Sequence, residues 1–301
     1  MIPFNHTTFK NIGLIGRINS PAIADTVVRV ADFLKHKRVN VILDAETTDF
    51  MATTAFKKQT RDEIGQTCDL AIVIGGDGSV LNAARTLAQY PISVVGIHRG
   101  RLGFLTDISP VEIEDELTKI LMGHYTQQLL CLLHADIFRN KQILLRLDAV
   151  NDVVLNAGSI TRMIEFELYI NDQFVYRQRS DGLIIATPTG STAYALSGGG
   201  PILHPDLGAL TLVPMFPHNL TSRPVVISDT ALIKFVPIAT ASTNQTAGLG
   251  LSCDGQPIEN LSPSDEVFIY KSKKKLHLLH PAGYNYYQTL RTKLQWSTDL
   301  I

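Results

Sequence analysis

No GxxxxGK[ST] segment occurs anywhere in the sequence, so the lysine-bearing loop with which P-loop enzymes cradle phosphate is missing. G-x-G-x-x-G is missing too. Gly13-Leu14-Ile15-Gly16-Arg17 has the wrong spacing for it, which disfavours a dehydrogenase. Cysteine is scarce: Cys68, Cys131 and Cys253 stand too far apart for a disulfide framework or a zinc pattern, and they suit a reducing cytosol. Neither sign of charge is in excess. At a net charge of −1, no long-range field draws the chain to nucleic acid or to anionic lipid. The one dense basic cluster, KSKKK at 271–275, reads as a solvated strand edge. No apolar segment reaches membrane-spanning length, and MIPFNHTTFK lacks the charged-then-apolar order of a secretion signal. The expectation is a soluble, cytoplasmic protein that binds neither nucleic acid nor membrane.

What is present is a chain of 301 residues, 45% hydrophobic, enough for one large core or two ordinary ones. Its first third alternates strand and helix. Asn11–Gly16 reads as a strand, and Ser20-Pro21 as a helix start ahead of AIADTVVRVADFLKH. Val39–Leu43 and Ile92–Ile97 are further strands. This alternation predicts an open parallel α/β sheet with right-handed crossovers. After a helix at SPVEIEDELTKILMG the texture changes to LLCLLHADIF, QILLRLDAVNDVVL, RMIEFELYINDQFVYRQ, GLIIATPTG, RPVVIS and ALIKFVPIA, strand-like runs without helices between them. MIEFELYI-NDQ-FVYRQ alternates as a hairpin does. The predicted organisation is therefore a Rossmann-like α/β domain over 1–108 and a mainly β, sandwich-like domain over 109–280. A terminal helix over 281–301, with Tyr284, Tyr287, Leu290 and Leu294 at helical spacing, is expected to pack back on the first domain.

The densest chemical signal is CDLAIVIGGDGSVLNAARTLA, residues 68–88. Leu70–Ile74 is continuously apolar, as a strand buried on both faces of a parallel sheet is. Val80, Ala84, Leu87 and Ala88 recur at helical spacing, with Ser79 as the expected cap. Between them stands Gly75-Gly76-Asp77-Gly78, at the carboxyl end of a strand and the amino end of a helix, where free N–H groups favour phosphate. A second loop, TPTGSTAY at 187–194, is dense in hydroxyls and backbone donors and carries an aromatic face in Tyr194. It can cradle a nucleotide. Cys253 reads as a small buried residue rather than a nucleophile, and the offset of His277 and His280 on one strand speaks against a metal pair.

GGDGS (75–79), GIHRGRLGFL (96–105), NDVVL (151–155), SDGLIIATPTGSTAYALSGGGP (180–201) and SCDGQ (252–256) occur in that order. Together they closely resemble the NAD kinase family, which phosphorylates the adenosine ribose 2′-hydroxyl of NAD to make NADP. The resemblance runs from about Ile12 to the terminal helix. One departure is His98, where family members commonly show Asn. The resemblance implies that Asp77 faces the reacting hydroxyl as proton acceptor and that Gly75, Gly76 and Gly78 lie against phosphates. It implies that Asn151 and Asp152 bond ribose hydroxyls. It also implies NAD contacts from Arg162, Arg179, Asp181, Thr189, Gly190, Ser191, Thr192, Ala193, Tyr194 and Gln256. ATP and NAD are then the substrates, a divalent cation (magnesium) the cofactor, and a homodimer or homotetramer the assembly. GGDG is shared with lipid kinases of the diacylglycerol and sphingosine type, which keeps that activity as an alternative. A non-catalytic NAD(P)(H) sensor is another, although a pure binder has no need of the Asp77 carboxylate.

Overall fold

The computed structural model describes residues 9–16, 21–48, 56–157, 163–238, 249–262 and 265–296. The chain divides into two units, Met1–Leu129 with Leu276–Ile301, and Leu130–Lys275. The divisions fall inside two long strands rather than in loops.

In the first unit the chain runs β1 (Asn11–Gly16), α1 (Pro21–His36), β2 (Asn40–Asp44), α2 (Ala45–Thr48), β3 (Lys57–Gln59), α3 (Arg61–Thr67), β4 (Leu70–Gly75), α4 (Asp77–Leu87), β5 (Ser93–His98) and α5 (Ile113–Leu121). The strands pair in parallel in the order β3-β2-β1-β4-β5. Every residue of β4 is buried, which accounts for its unbroken apolar run. Helix α1 buries Ile23, Val27, Val30, Ala31 and Leu34, the i, i+4, i+7, i+8, i+11 stripe that a one-sided helix requires. The expected cap Ser20 lies outside the described residues. Helix α3 starts with a capping box: the Thr60 hydroxyl accepts from Glu63 N, and the Glu63 carboxylate accepts from Thr60 N at 2.8 Å.

β6 (Tyr125–Arg139) leads into the second unit, which contains β7 (Gln142–Ala149), β8 (Asp152–Asn156), β9 (Ile164–Ile170), β10 (Gln173–Ser180) and β11 (Gly182–Ala186). A 3-10 turn (Gly190–Thr192) and α6 (Tyr194–Ser197) precede β12 (Ala209–Met215), β13 (Val225–Ser228), β14 (Ile233–Pro237), β15 (Leu249–Cys253) and β16 (Gln256–Leu261). The first part of β17 (Glu266–Pro281) belongs here; its end, like α7 (Tyr286–Leu294), belongs to the first unit. There His277–Leu279 pairs in parallel with β5.

One antiparallel sheet of the second unit has the order β13-β12-β11-β8-β15-β16, and another joins β10, β9, β14 and β17 with the β6–β7 hairpin alongside. Their facing sides form one core. Leu183, Ile185, Val153 and Leu155 meet Phe166, Phe235, Ile233 and Val267 in it. Ile184 and Ala186 point the other way and are covered with Ala195 and Val213. Both faces of β11 are therefore buried, so GLIIA reads as a continuous run although its neighbours are antiparallel. Hairpin β9–β10 turns through Asn171 and Asp172, both at positive φ, the two-residue geometry that favours Asn and Asp. KSKKK lies inside β17, between the residues that pair with β14 (Val267–Ile269) and those that pair with β5 (His277–Leu279); Lys273, Lys274 and Lys275 are exposed and Lys271 pairs with Asp229.

The rings of Phe166 and Phe235 lie 4.7 Å apart and both are fully buried. Phe235→Ala should destabilise the protein by about 3–5 kcal/mol, whereas the exposed Val111→Ala should change stability by less than about 0.5 kcal/mol. Urea denaturation of the two variants beside the parent chain measures the difference.

Candidate active site

In the first unit the strand β4 ends at Gly75, Gly76 occupies the N-cap of α4, and Asp77 is the first helical residue. The expectation that Ser79 caps this helix is corrected: Ser79 sits inside the first turn, where its amide donates to Gly76 O at 2.8 Å. The helix starts at Gly76, extended backbone whose carbonyl accepts from the amides of Ser79 and Val80, while the carboxylate of Asp77 is anchored elsewhere. It accepts from the amides of Phe104 at 2.8 Å and Leu105 at 3.0 Å, and from the Thr106 hydroxyl at 3.1 Å. The GIHRGRLGFL segment is thereby folded onto the glycine turn. Gly103 makes the approach possible, since a Cβ there would fall 1.9 Å from Asp77 Oδ1. His98, at the end of β5, is nearly buried, with its Nδ1 at 3.0 Å from Gly100 O.

Gly76 and Gly78 present the opposite case. A Cβ at either position would meet nothing within 4 Å. Gly76 has φ −121°, ordinary extended backbone, so no other part of the described chain demands glycine there. They border a cavity of about 450 Å³ together with Gly16, Arg61, Ser79 and Asn82. Bare backbone beside open space, at the N-terminus of an eleven-residue helix, is suited to a ligand's anionic oxygens.

Arg61 was not singled out by sequence reasoning. Its guanidinium donates to Asn82 Oδ1 and, at 2.7 Å, to Glu46 Oε2, while Nε lies 3.6 Å from Asp44 Oδ1 without a hydrogen bond. Burial pushes the Asp44 carboxyl above its usual range, against the opposing pull of Arg61. Arg61, ion-paired with Glu46 and beside Asp44, thus places a cation at the border of the cavity. Nothing in the local sequence of α3 signals this; only the sheet brings α3 beside α4.

In the second unit three loops converge. The β15–β16 hairpin turns through Asp254 and Gly255, both at positive φ. This aims the Asp254 carboxylate at the amides of Val150 (3.0 Å), Asn151 (2.7 Å) and Asp152 (3.3 Å). The Thr187 hydroxyl donates to Val150 O at 2.6 Å, and Gly190 packs so closely that a Cβ would stand 2.0 Å from Asn151 O. Asn151, Asp152 and the 187–190 turn are therefore one assembly, held by Asp254. Asn151 Oδ1 is buried without a hydrogen-bond partner among the described residues. Burial, and then the charge of Asp254, pushes Asp152 up to about 7.

The hydroxyl-rich turn spends much of its hydrogen bonding on itself. Ser191 Oγ donates to Pro188 O at 2.6 Å and accepts from Leu203 N at 2.9 Å, and Thr192 Oγ1 donates to Thr189 O at 3.1 Å. Ala193 follows, and the ring of Tyr194, 47% exposed, borders a cavity of about 410 Å³ with Met215, Phe216, Leu220 and Arg223. Asp181 joins β10 to β11, its amide bonded to Met215 O at 2.9 Å. Arg179 is exposed on β10, and Gln256 is exposed at the start of β16. Arg162 lies outside the described residues.

Residues 12–125 match the family described as ATP-NAD kinase N-terminal domain, and residues 150–281 the family described as ATP-NAD kinase C-terminal domain. The chain is 48% identical over 291 residues to a protein of Teredinibacter turnerae named NAD kinase, covering 97% of this chain and 98% of that one. It is 50% identical over 292 residues to one of the same name from Chromohalobacter salexigens, with the same coverage. Among solved structures it superposes on yeast NADH kinase complexed with NADH at a TM-score of 0.88, 22% identical, over 96% of this chain and 88% of that one. An NAD kinase from Archaeoglobus fulgidus in complex with ATP gives a TM-score of 0.72 at 25% identity, over 95% and 98%.

The raised Asp152 carboxyl has a consequence for stability. Between about pH 4 and its value of about 7, the folded chain keeps a proton there that the unfolded chain has released. Stability from this group is therefore lost as pH rises through that window, by roughly 3–4 kcal/mol in all. Asp152→Asn should flatten the difference in urea midpoint between pH 5 and pH 8 relative to the parent. An unchanged pH dependence would show that Asp152 ionises normally.

Proposed function

The chain belongs to the ATP-NAD kinase family, and from this we infer that it transfers a phosphoryl group from ATP to the 2′-hydroxyl of the adenosine ribose of NAD, giving NADP and ADP. It is a phosphotransferase with an alcohol acceptor. Full-length relatives carrying that name leave the lipid-kinase alternative without support.

We propose that Asp77 accepts the proton of the reacting hydroxyl. A carboxylate is far too weak a base to ionise a sugar hydroxyl in advance. It orients the hydroxyl and takes the proton late, as the new P–O bond acidifies it. Among the described residues Oδ2 accepts one hydrogen bond, from Phe104, and so keeps a lone pair for this. The donor's phosphates lie against the backbone of Gly75, Gly76 and Gly78, with Arg61 as the cation that a P-loop lysine would otherwise supply. The single observation that carries this placement is the open space beside Gly76 and Gly78.

Asn151 and Asp152 hold ribose hydroxyls. The unpartnered Asn151 Oδ1 supports this, and so does a carboxyl at Asp152 that can donate as well as accept near pH 7. Asp181, Thr189, Gly190, Ser191, Thr192 and Ala193 line the dinucleotide, with the ring of Tyr194 against the base and Arg162, Arg179 and Gln256 contributing polar contacts. Among the described residues no group of three His, Cys, Asp or Glu converges to hold a metal. A magnesium ion bound with ATP would neutralise phosphate charge. The assembly is a homodimer or homotetramer: β13 leaves Val225 and Val226 exposed at a sheet edge, near Phe216 and Leu220 in the chain, both strongly exposed. No helix among the described residues is long and apolar enough to cross a membrane, and we place the protein in the cytoplasm.

Purified protein incubated with ATP, Mg²⁺ and NAD should form NADP, detected with an NADP-specific dehydrogenase. Retained NAD binding without product would favour the sensor. Asp77→Asn should lower turnover roughly 10²–10⁴-fold. Near-normal turnover in that variant would remove Asp77 from the proton-acceptor role.

A further inference from the structure

The loop that grips Asp77 is an excursion from β5. It leaves at His98 and returns at Ile108, whose amide donates to Gly96 O and whose carbonyl accepts from His98 N. Its tip, 103–106, supplies all three donors to the Asp77 carboxylate. A loop of this length fixes a side chain only as well as it is itself fixed, and both of its shoulders are held by residues from the far end of the sequence.

On one shoulder, Lys293 of α7 donates through Nζ to Leu102 O at 2.7 Å, and the same ammonium lies 5.5 Å from the centre of the Phe104 ring. On the other, Asp107 faces His280, the penultimate residue of β17. His280 Nδ1 lies 2.8 Å from Asp107 Oδ2 and its Nε2 lies 2.8 Å from Gln128 Oε1. His280 is fully buried, and its ring stacks on Tyr284 at 3.8 Å with 9° between the planes. Asp107 Oδ1 is buried without a hydrogen-bond partner, so loss of His280 would strand a buried carboxylate. Burial pushes the Tyr284 phenol up to about 12, with smaller contributions that include the charges of Asp107 and Asp77.

We propose that the C-terminal segment acts through Lys293 and His280 as the positioning element for Asp77, clamping both shoulders of the loop that aims its carboxylate. This rests on the reading of Asp77 as proton acceptor. Neither Lys293 nor His280 touches substrate in this account. Each holds the 102–107 backbone in register, and that backbone holds the carboxylate. Catalysis by a positioned group is steep in distance, so loosening either shoulder should reach turnover while leaving substrate affinity in place.

Steady-state NADP formation by Asp77→Asn, Lys293→Met, Lys293→Arg, His280→Phe and the double variant Lys293→Met/Asp77→Asn tests this. Lys293→Met keeps the apolar stem and loses the ammonium; His280→Phe keeps the stack and loses both polar contacts. The expected result for Lys293→Met is a fall in kcat of about tenfold or more, with KM for NAD and ATP within about twofold. Lys293→Arg, which restores a donor and a cation, should recover most of the loss. In the Asp77→Asn background, Lys293→Met should cost little further, because its effect runs through the carboxylate already removed. A normal kcat in Lys293→Met, a loss confined to KM, or full additivity in the double variant would overturn the clamp and leave the proton-acceptor reading standing. Near-normal turnover in Asp77→Asn would overturn that reading, and the clamp with it. Should His280→Phe fail to fold, the Lys293 variants decide the matter by themselves.

Discussion

The structure of the first unit turns on one carboxylate that accepts three hydrogen bonds from a loop nearly thirty positions away in the chain. Asp77 stands where β4 becomes α4, and the donors are two amides and a hydroxyl of 104–106. Charge-assisted bonds of this kind are about twice as strong as neutral ones. They bring the GIHRGRLGFL segment over the glycine turn, and Gly103 is what lets the backbones approach. The helix begins one residue after Gly76, and a Cβ at Gly76 or Gly78 would meet nothing within 4 Å. The same interaction thus closes the loop beside the start of the helix, where a cavity of about 450 Å³ opens.

The second unit repeats the device with a different carboxylate. Asp254, placed at positive φ by a hairpin turn, accepts from three successive amides and so gathers 150–152 beside the 187–190 turn. A negative charge held by backbone then stands close to a second, buried carboxyl. Burial first, and then the like charge of Asp254, disfavour the ionised form, and Asp152 keeps its proton to about pH 7. A scaffold interaction therefore sets the protonation state of a residue proposed to meet ribose.

Much of this was legible from the chain. The continuous apolar run of β4, the one-sided stripe of α1 and the alternation of the β9–β10 hairpin each follow from burial on two faces, one stripe or one face. Strand β12 is not among the runs read from the sequence, and it carries Pro214, a residue poorly suited to a central strand. The structure resolves this locally. β13 pairs with β12 only as far as Leu212, so at Pro214 one side of the strand has no partner to miss an N–H. Local propensity also named the Ser79 hydroxyl as a cap, whereas the helix begins at the extended backbone of Gly76 with no side-chain cap.

The site divides along the same line. Gly75-Gly76-Asp77-Gly78, Asn151-Asp152 and 187–194 could be named from sequence because contiguous residues carry their own turn chemistry and, in order, a family's pattern. Arg61, Thr106, Lys293 and His280 could not, since each is an ordinary residue on an ordinary element until the sheet stacks α3 beside α4, and β17 with α7 returns to the first unit. Short-range chemistry is written in adjacent letters, and so the sequence by itself determined the fold class, the family and the glycine turn between β4 and α4. Which distant donors hold Asp77, which carboxylate raises Asp152 and which cation faces the cavity depend on distances across the folded chain, and only the tertiary structure decided them.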